Sequence, residues 1–245
     1  MPILNVLGYR NYYLLNDFDT AEIELKKAAK ATPERVGQRV IEDLKRVQEI
    51  WQQESEQRKQ DAENENPRVQ IEMDCGTMVV ELFEDQVPNT VANFINLVED
   101  GFYNGLLFYQ VNPKDVAITG SPSNDGQGGP GYFTKTEAGV ENARHHFTGV
   151  LSMLANPDGQ ATHGSRFLIT KQPHLEYDGR ITPFGRIVEG LENLYKINVI
   201  NLAAARTIED GTRPTQIIRM TVLRKRDHEY IAEKATANAA TPSGG

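Results

Sequence analysis

The chain has 245 residues, enough for one sizeable domain with an appendage or for two small ones. A formal net charge of −8 argues against a nucleic-acid partner, which needs a basic face, and no apolar run approaches the roughly 20 residues that span a bilayer. Met1 to Asp19 shows no basic stretch followed by an apolar one, and the single cysteine, Cys75, excludes an intramolecular disulfide, so the expected setting is cytoplasmic.

In chain order, Thr20 to Lys30 reads as a short helix with Asp19 or Thr20 as N-cap. A longer helix follows, with Thr32 as N-cap and Pro33 at its first position, where the missing N–H costs nothing. Val36, Val40, Leu44, Val47 and Trp51 give it one apolar stripe. From Gln52 to Asn66 the chain is polar apart from Ala62, which predicts fraying into a solvated linker. The stripe must be buried, either against the first helix and the Tyr9, Tyr12, Tyr13, Leu14, Leu15 cluster, or against a second copy or a partner.

Near Pro67 the period switches from helical to 2. Val69, Ile71 and Met73 alternate with Gln70, Glu72 and Asp74; a turn at Asp74-Cys75-Gly76 leads to Met78, Val80 and Leu82, a hairpin pattern. Pro88 opens a helix with Val91, Phe94, Ile95 and Val98 on one side, and Gly101 stops it. Further strands are expected at Leu107–Val111, Val116–Thr119, Gly149–Leu154, Arg166–Thr170, Pro183–Val188 and Gln216–Leu223, with a second short helix at Leu191–Ile197. The fold class is therefore mainly β: an eight-stranded antiparallel barrel capped by two helices. The division is a helical extension over 1–66, a barrel over 67–226 and a polar, disordered tail over 227–245.

Particular segments go further than periodicity. Glu81-Leu82-Phe83 and Val87-Pro88-Asn89-Thr90-Val91-Ala92-Asn93-Phe94 resemble the second strand and first helix of the cyclophilins. Gly101-Phe102-Tyr103-Asn104-Gly105 with Phe108-Tyr109, and the loop Gly126-Gln127-Gly128-Gly129-Pro130-Gly131-Tyr132, are similar to family segments in family order. So are Gly149 to Met153, Gly164 to Ile169, and Leu175 through Gly190. The resemblance runs from about Arg68 to Lys225 and implies a cyclophilin-like barrel with peptidyl-prolyl cis-trans isomerase (rotamase) activity in protein folding. It implies no cofactor and no metal, and partners that are proline-containing peptides or unfolded protein clients.

That reaction rotates an amide bond across a barrier of about 18–20 kcal/mol without breaking any bond. A fixed cationic donor stabilises the twisted amide, and an apolar pocket holds the proline ring. Aligned on Phe108, Pro113 and Gly120, the family's catalytic arginine position falls on Gln110. Pocket positions fall on Asp115, Val116 and Ile118, and the other groove positions on Arg166, Leu168, Glu176, Tyr177 and Ile181. Ala155 and Asn156 would offer backbone to the peptide, with one residue inserted near Leu154 or Pro157. Phe108 is counted among the groove residues. An unpaired buried carboxylate is costly, so Asp115 is expected to face solvent or to meet a base, with Arg166 the candidate.

Three functions remain open on this reading: a divergent isomerase of low activity, a non-catalytic peptide- or protein-binding module (a pseudoenzyme), and a chaperone-like assembly factor making contact through its N-terminal helices. His145-His146 reads as a loop pair without a third metal ligand, and His163 and His174 as loop residues near the groove. Ser152 and Ser165 are explained as strand and turn residues.

Overall fold

The computed structural model describes residues 8–31, 38–156, 159, 161–202 and 212–235. All eight expected strands are present: β1 (Arg68–Met73), β2 (Gly76–Leu82), β3 (Gln110–Val111), β4 (Val116–Thr119), β6 (Val150–Ala155), β7 (Ala161–Thr170), β8 (Thr182–Glu189) and β10 (Ile217–Arg224). Three short ones join them, β5 (Phe133–Lys135), β9 (Ile200–Asn201) and β11 (Lys234–Ala235). The main path runs β10-β1-β2-β8-β6-β7-β4-β3-β9, and β5 pairs with β7 and β11. Expected strand Leu107–Val111 keeps only its last two residues. Its first part instead stitches the sheet's ends together: Leu107 bridges Gln216, Phe108 N–H donates to Thr215 O (3.0 Å) and Ile217 N–H to Leu106 O (2.8 Å). The result is a curled antiparallel sheet.

The alternation of β1 is realised, with Val69 and Ile71 fully buried and Met73 nearly so. Helix α3 (Pro88–Glu99) lays Val91, Phe94, Ile95 and Val98 on the same core, where Phe94 meets Phe167 edge-on at 5.7 Å and Phe184 at 4.9 Å. No side chain of its own caps α3. The Glu137 carboxylate does so from a distant loop, accepting from Asn89 N–H (3.2 Å), Thr90 N–H (2.8 Å) and Thr90 Oγ1 (2.6 Å), where the helix dipole favours an anion. The second capping helix, α4, is a single turn over Leu191–Leu194.

The extension is helical and docked. Helix α1 (Phe18–Ala31) follows a π-helical turn at Asn11–Leu15 and is capped by Asp17, not by Asp19 or Thr20: Thr20 N–H donates to Asp17 Oδ1 at 3.1 Å. Helix α2 is described from Gln38; Thr32 and Pro33 lie outside the described residues. Leu44 and Val47 of α2 pack with Phe18 and Ala21 of α1 and with Phe147 and Val150 of the barrel. Phe147 meets Trp51 at 4.7 Å and Phe18 at 5.6 Å. Asn16, at a left-handed φ of 52°, binds the Thr148 backbone through both side-chain atoms, at 3.2 and 3.3 Å. Leu44, Val47 and Trp51 of the stripe are thus covered within the chain, by the first helix and the barrel together; Val36 lies outside the described residues.

The expected fraying after Trp51 does not occur; α2 runs to Glu63. The stripe continues its spacing of three and four through Glu54, Arg58 and Asp61, changing chemistry but not direction. Glu54 is fully buried and Asp61 is 4% exposed. Both hold Arg144, itself 1% exposed. Its Nε and Nη2 grip Glu54 at 3.0 and 2.7 Å, Nη1 reaches Asp61 at 2.8 Å, and the guanidinium lies 4.2 Å over the Phe83 ring. Arg58 adds a bond to Glu54 (2.9 Å); Arg186 stands 3.8 Å from Asp61 and 2.8 Å from Glu81, which also takes Arg68 at 3.1 Å. Burial pushes the Glu54 carboxyl up, but Arg144 and Arg58 outweigh it and leave it below the ordinary range.

Part of the expected tail is structured as well. Residues 227–235 return along α3: Tyr230 enters the core, Asn96 Nδ2 donates to Tyr230 O (2.9 Å) and β11 pairs with β5. The pull comes from Glu84, 5% exposed, which accepts from Tyr230 OH at 3.0 Å and contacts His228 at 2.5 Å. Residues 236–245 lie outside the described residues. No helix among the described residues is long and apolar enough to cross a membrane.

Removing one partner of a buried guanidinium leaves an uncompensated charge, so Glu54→Ala is expected to cost about 3–5 kcal/mol in urea denaturation. Replacing the group together (Glu54→Leu, Arg58→Met, Asp61→Leu, Arg144→Met) is expected to cost less than that single substitution, because Arg186 keeps Glu81 and no orphaned charge remains.

Candidate functional site

Antiparallel pairing sets Gln110 opposite Ile118, Ile118 opposite Leu168 and Leu168 opposite Ser152, one row across β3, β4, β7 and β6. Ile118 and Leu168, with Val116 and Tyr109, form an apolar cluster separate from the barrel core and bordered by Leu154, Tyr177, Ile181 and Leu202. Five of the residues expected in the groove therefore meet: Val116, Ile118, Leu168, Tyr177 and Ile181. Gln110 is half-buried at the end of the row, with Asn201 of β9 on its other side. Phe108 does not belong to the groove: it is fully buried in the barrel core, because its backbone pairs toward β10. Tyr109, Leu154 and Leu202 were not read from sequence. Tyr109 and Leu154 neighbour expected positions, whereas Leu202 follows a two-residue strand that carries no pattern.

Arg166 stands two residues before Leu168 on β7 and shares its face. It does not pair with Asp115. Its Nη1 donates to Gly126 O, and Nη2 contacts His163 at 2.5 Å (Nδ1) and 2.9 Å (Nε2). His163 lies within β7, not in a loop. Burial, and then the charge of Arg166, hold its ring down at about 4, so it faces the guanidinium as a neutral acceptor. The Tyr109 hydroxyl is pushed up by burial and drawn part-way back by Arg166. Gly126 has φ +86°, a conformation that strains any side chain, and a Cβ there would also crowd the Tyr109 ring at 3.2 Å. The glycine loop thereby delivers a carbonyl to Arg166. Its entry is fixed by Gly120, at φ +88°, whose Cβ would fall 2.1 Å from Ser165 O.

The base that meets Asp115 is His174: Nε2 lies 3.0 Å from Asp115 Oδ1, close but without hydrogen-bond alignment, and Nδ1 donates to Glu176 Oε1 at 2.7 Å. His174 stacks on Tyr177 at 4.9 Å and 17°. The Asp115 side chain is 36% exposed and that of Glu176 is 61% exposed, so Glu176 is a rim residue, not a wall. Burial raises the Glu176 carboxyl, but the bond from His174 outweighs it and leaves it below its ordinary value.

Ala155 pairs with Thr162, and Asn156 is turned inward: its N–H donates to Ala161 O (2.8 Å), its O accepts from Gly159 (2.9 Å) and its Oδ1 from Ala161 (3.0 Å). The Asn156 backbone expected to face a peptide is therefore engaged within the chain. A register shift between Met153 and Ala155 marks where the insertion was expected; residues 157, 158 and 160 lie outside the described residues.

The turn Leu175–Tyr177 is held from behind by the loop that enters β6. Asp178 accepts from His145 Nδ1 (2.7 Å), His146 Nδ1 (2.6 Å) and His146 N–H (3.0 Å), while His174 N–H donates to His146 O (2.7 Å). Burial pushes the Asp178 carboxyl up, but the two histidine bonds outweigh it and bring it to about 2. Among the described residues no three His, Cys, Asp or Glu side chains are grouped to hold a metal.

Comparison with known proteins bears on this arrangement. Residues 68–223 match the family model described as cyclophilin type peptidyl-prolyl cis-trans isomerase/CLD. A peptidyl-prolyl cis-trans isomerase of Synechococcus elongatus is 41% identical over 116 residues, which is 47% of this chain and 77% of that protein. One of Schizosaccharomyces pombe is 35% identical over 158 residues, 63% of this chain and 98% of that protein. Among solved structures, a cyclophilin type peptidyl-prolyl cis-trans isomerase of Cryptosporidium parvum, crystallised in the presence of the dipeptide Ala-Pro, aligns with a TM-score of 0.55. It does so at 24% identity over 64% of this chain and 99% of that one, a likeness of fold alone. The extension lies outside the family match, and the barrel it docks on carries the whole of it: the chain belongs to the cyclophilin-type peptidyl-prolyl cis-trans isomerase family.

Proposed function

We propose that the groove binds Xaa-Pro segments of peptides or unfolded clients and turns them slowly, with binding the better-retained half of the activity. The supporting observation is the apolar floor of Tyr109, Val116, Ile118 and Leu168, walled by Tyr177 and Ile181, which suits a proline ring. Gln110 stands at the end of that row with a neutral carboxamide. It donates a hydrogen bond to a twisted amide but brings no charge, and charge-assisted bonds are roughly twice as strong. Arg166 supplies a cation on the same face, but its fork is engaged by Gly126 and His163. The absence of a preorganised charged donor is worth about 10²–10³ in rate. A binding module without chemistry is the second reading, favoured by Asp115 standing at the floor's edge.

In an isomerisation assay on an Xaa-Pro peptide followed by NMR exchange, the wild type should show weak acceleration that disappears in Gln110→Ala. Gln110→Arg should raise it by about 10²-fold. Peptide binding without acceleration in either wild type or Gln110→Arg would establish the binding module instead.

His163 gives a pH signature. Its folded value of about 4 lies below the ordinary 6.5, so between those values the unfolded chain binds a proton that the folded chain does not. Stability is therefore expected to fall as pH drops from 6.5 to 4, and His163→Gln should flatten that segment of a denaturation-versus-pH series.

A further inference from the structure

We propose that the N-terminal extension positions the groove wall through the loop Arg144 to Thr148, with Asp178 the positioning residue that receives the coupling. This rests on the groove reading above. The chain of contacts is continuous. On α2, Glu54 and Asp61 fix the guanidinium of Arg144 with three bonds of 2.7–3.0 Å. Ahead of α1, Asn16 fixes Thr148 by two bonds to its backbone. Both ends of the loop are thus held by the extension. Between those ends, His145 and His146 close on Asp178 with three bonds, and the His146 carbonyl takes the His174 N–H.

Past Asp178 and His174 lies the wall itself. His174 orients Glu176 through Nδ1, stands against Asp115 and stacks on Tyr177, which borders the apolar floor. The other side of the same turn is covered by the extension directly, because Leu175 packs on the Phe18, Val47 and Phe147 cluster. A cleft of about 410 Å³ between the two is lined by Tyr12, Asp43, Arg46 and Val47 on one side and Pro173, Leu175 and Glu176 on the other. Among the described residues, none of the extension joins the groove floor; its contacts are with the wall.

The loop also carries a titrating element. His145 faces Asp178, with Glu54 and Arg144 nearby and the Phe147 ring 6.3 Å away. The hydrogen bond to Asp178 raises His145 above 6.5 against the effect of burial. Below that raised value the pair is charged on both sides; as pH rises through it, the pair loses its cation and the wall loses part of its hold.

The test uses the full chain and two readouts. Hydrogen exchange of the amides from His174 to Asp178 reports the wall, and titration with an Xaa-Pro peptide reports the groove. In Asp178→Asn and Glu54→Gln, exchange of these amides should speed up by about 10-fold or more while β1 and β2 keep their protection. Peptide affinity should weaken, and the wild type's loss of affinity with rising pH should flatten in Asp178→Asn. If Glu54→Gln does not fold, Asn16→Ala, which frees the other end of the loop, takes its place. Folded variants with unchanged wall protection overturn the coupling. A wild type that binds no proline peptide overturns the groove reading instead, and exchange alone then decides: lost protection sustains the coupling, and retained protection ends it.

Discussion

Arg144 is a guanidinium 1% exposed to solvent, lying over the Phe83 ring at the edge of the barrel core. Such a charge survives burial only when its donors are filled and its charge is matched. The barrel does not do this by itself; two carboxylates of α2 do. Around them the signs alternate from Arg58 through Glu54, Arg144, Asp61, Arg186 and Glu81 to Arg68. Swapping the sign of any member sets like charges side by side, so the ladder fixes the register of helix on barrel more sharply than the neighbouring aromatic contacts, which tolerate sliding. The family domain is in this sense incomplete at Arg144 without residues that lie outside the family match.

The ladder has a consequence for rigidity. Removing charges from water is unfavourable, and a triad of this kind contributes less to stability than well-packed apolar residues of the same volume. Its contribution is definition: Arg144 bound to Glu54 and Asp61 fixes one end of the loop from Arg144 to Thr148, and that loop backs the turn Leu175–Tyr177. The extension and the groove thereby share an element while remaining apart in space.

Much of the barrel is legible because period 2 with turn residues maps directly onto paired strands; Val116–Thr119 falls where the pattern ends it. The groove positions come from the family resemblance, and strand pairing then accounts for Ile118 and Leu168 pointing the same way. What the sequence hides is pairing between distant charges. A search for apolar periodicity stops at Trp51, although Glu54, Arg58 and Asp61 keep the three-four rhythm; a charged stripe is read as solvated unless its partner is known, and Arg144 lies far along the chain. Asp115 fails the same way, its base being His174 and not the arginine that alignment puts nearby. Phe108 was misplaced because one shared anchor says which residue occurs there, not which face it takes once the chain leaves regular pairing.

The groove's chemistry turns on what surrounds the amide as it twists. Rotation returns a lone pair to nitrogen and concentrates charge that a cation stabilises. On the proposed function, the polar groups at the floor's edge include a carboxamide at Gln110 and a carboxylate at Asp115, the latter beside His174. An anion near a nitrogen gaining electron density disfavours the twisted state, while leaving the apolar contacts of a planar Xaa-Pro segment intact. Ground-state binding and transition-state stabilisation, on that proposal, draw on different side chains, and only interactions stronger in the twisted state raise the rate. On the proposed function, a floor that keeps Val116, Ile118 and Leu168 while its rim carries Asp115 and Glu176 favours holding proline over turning it.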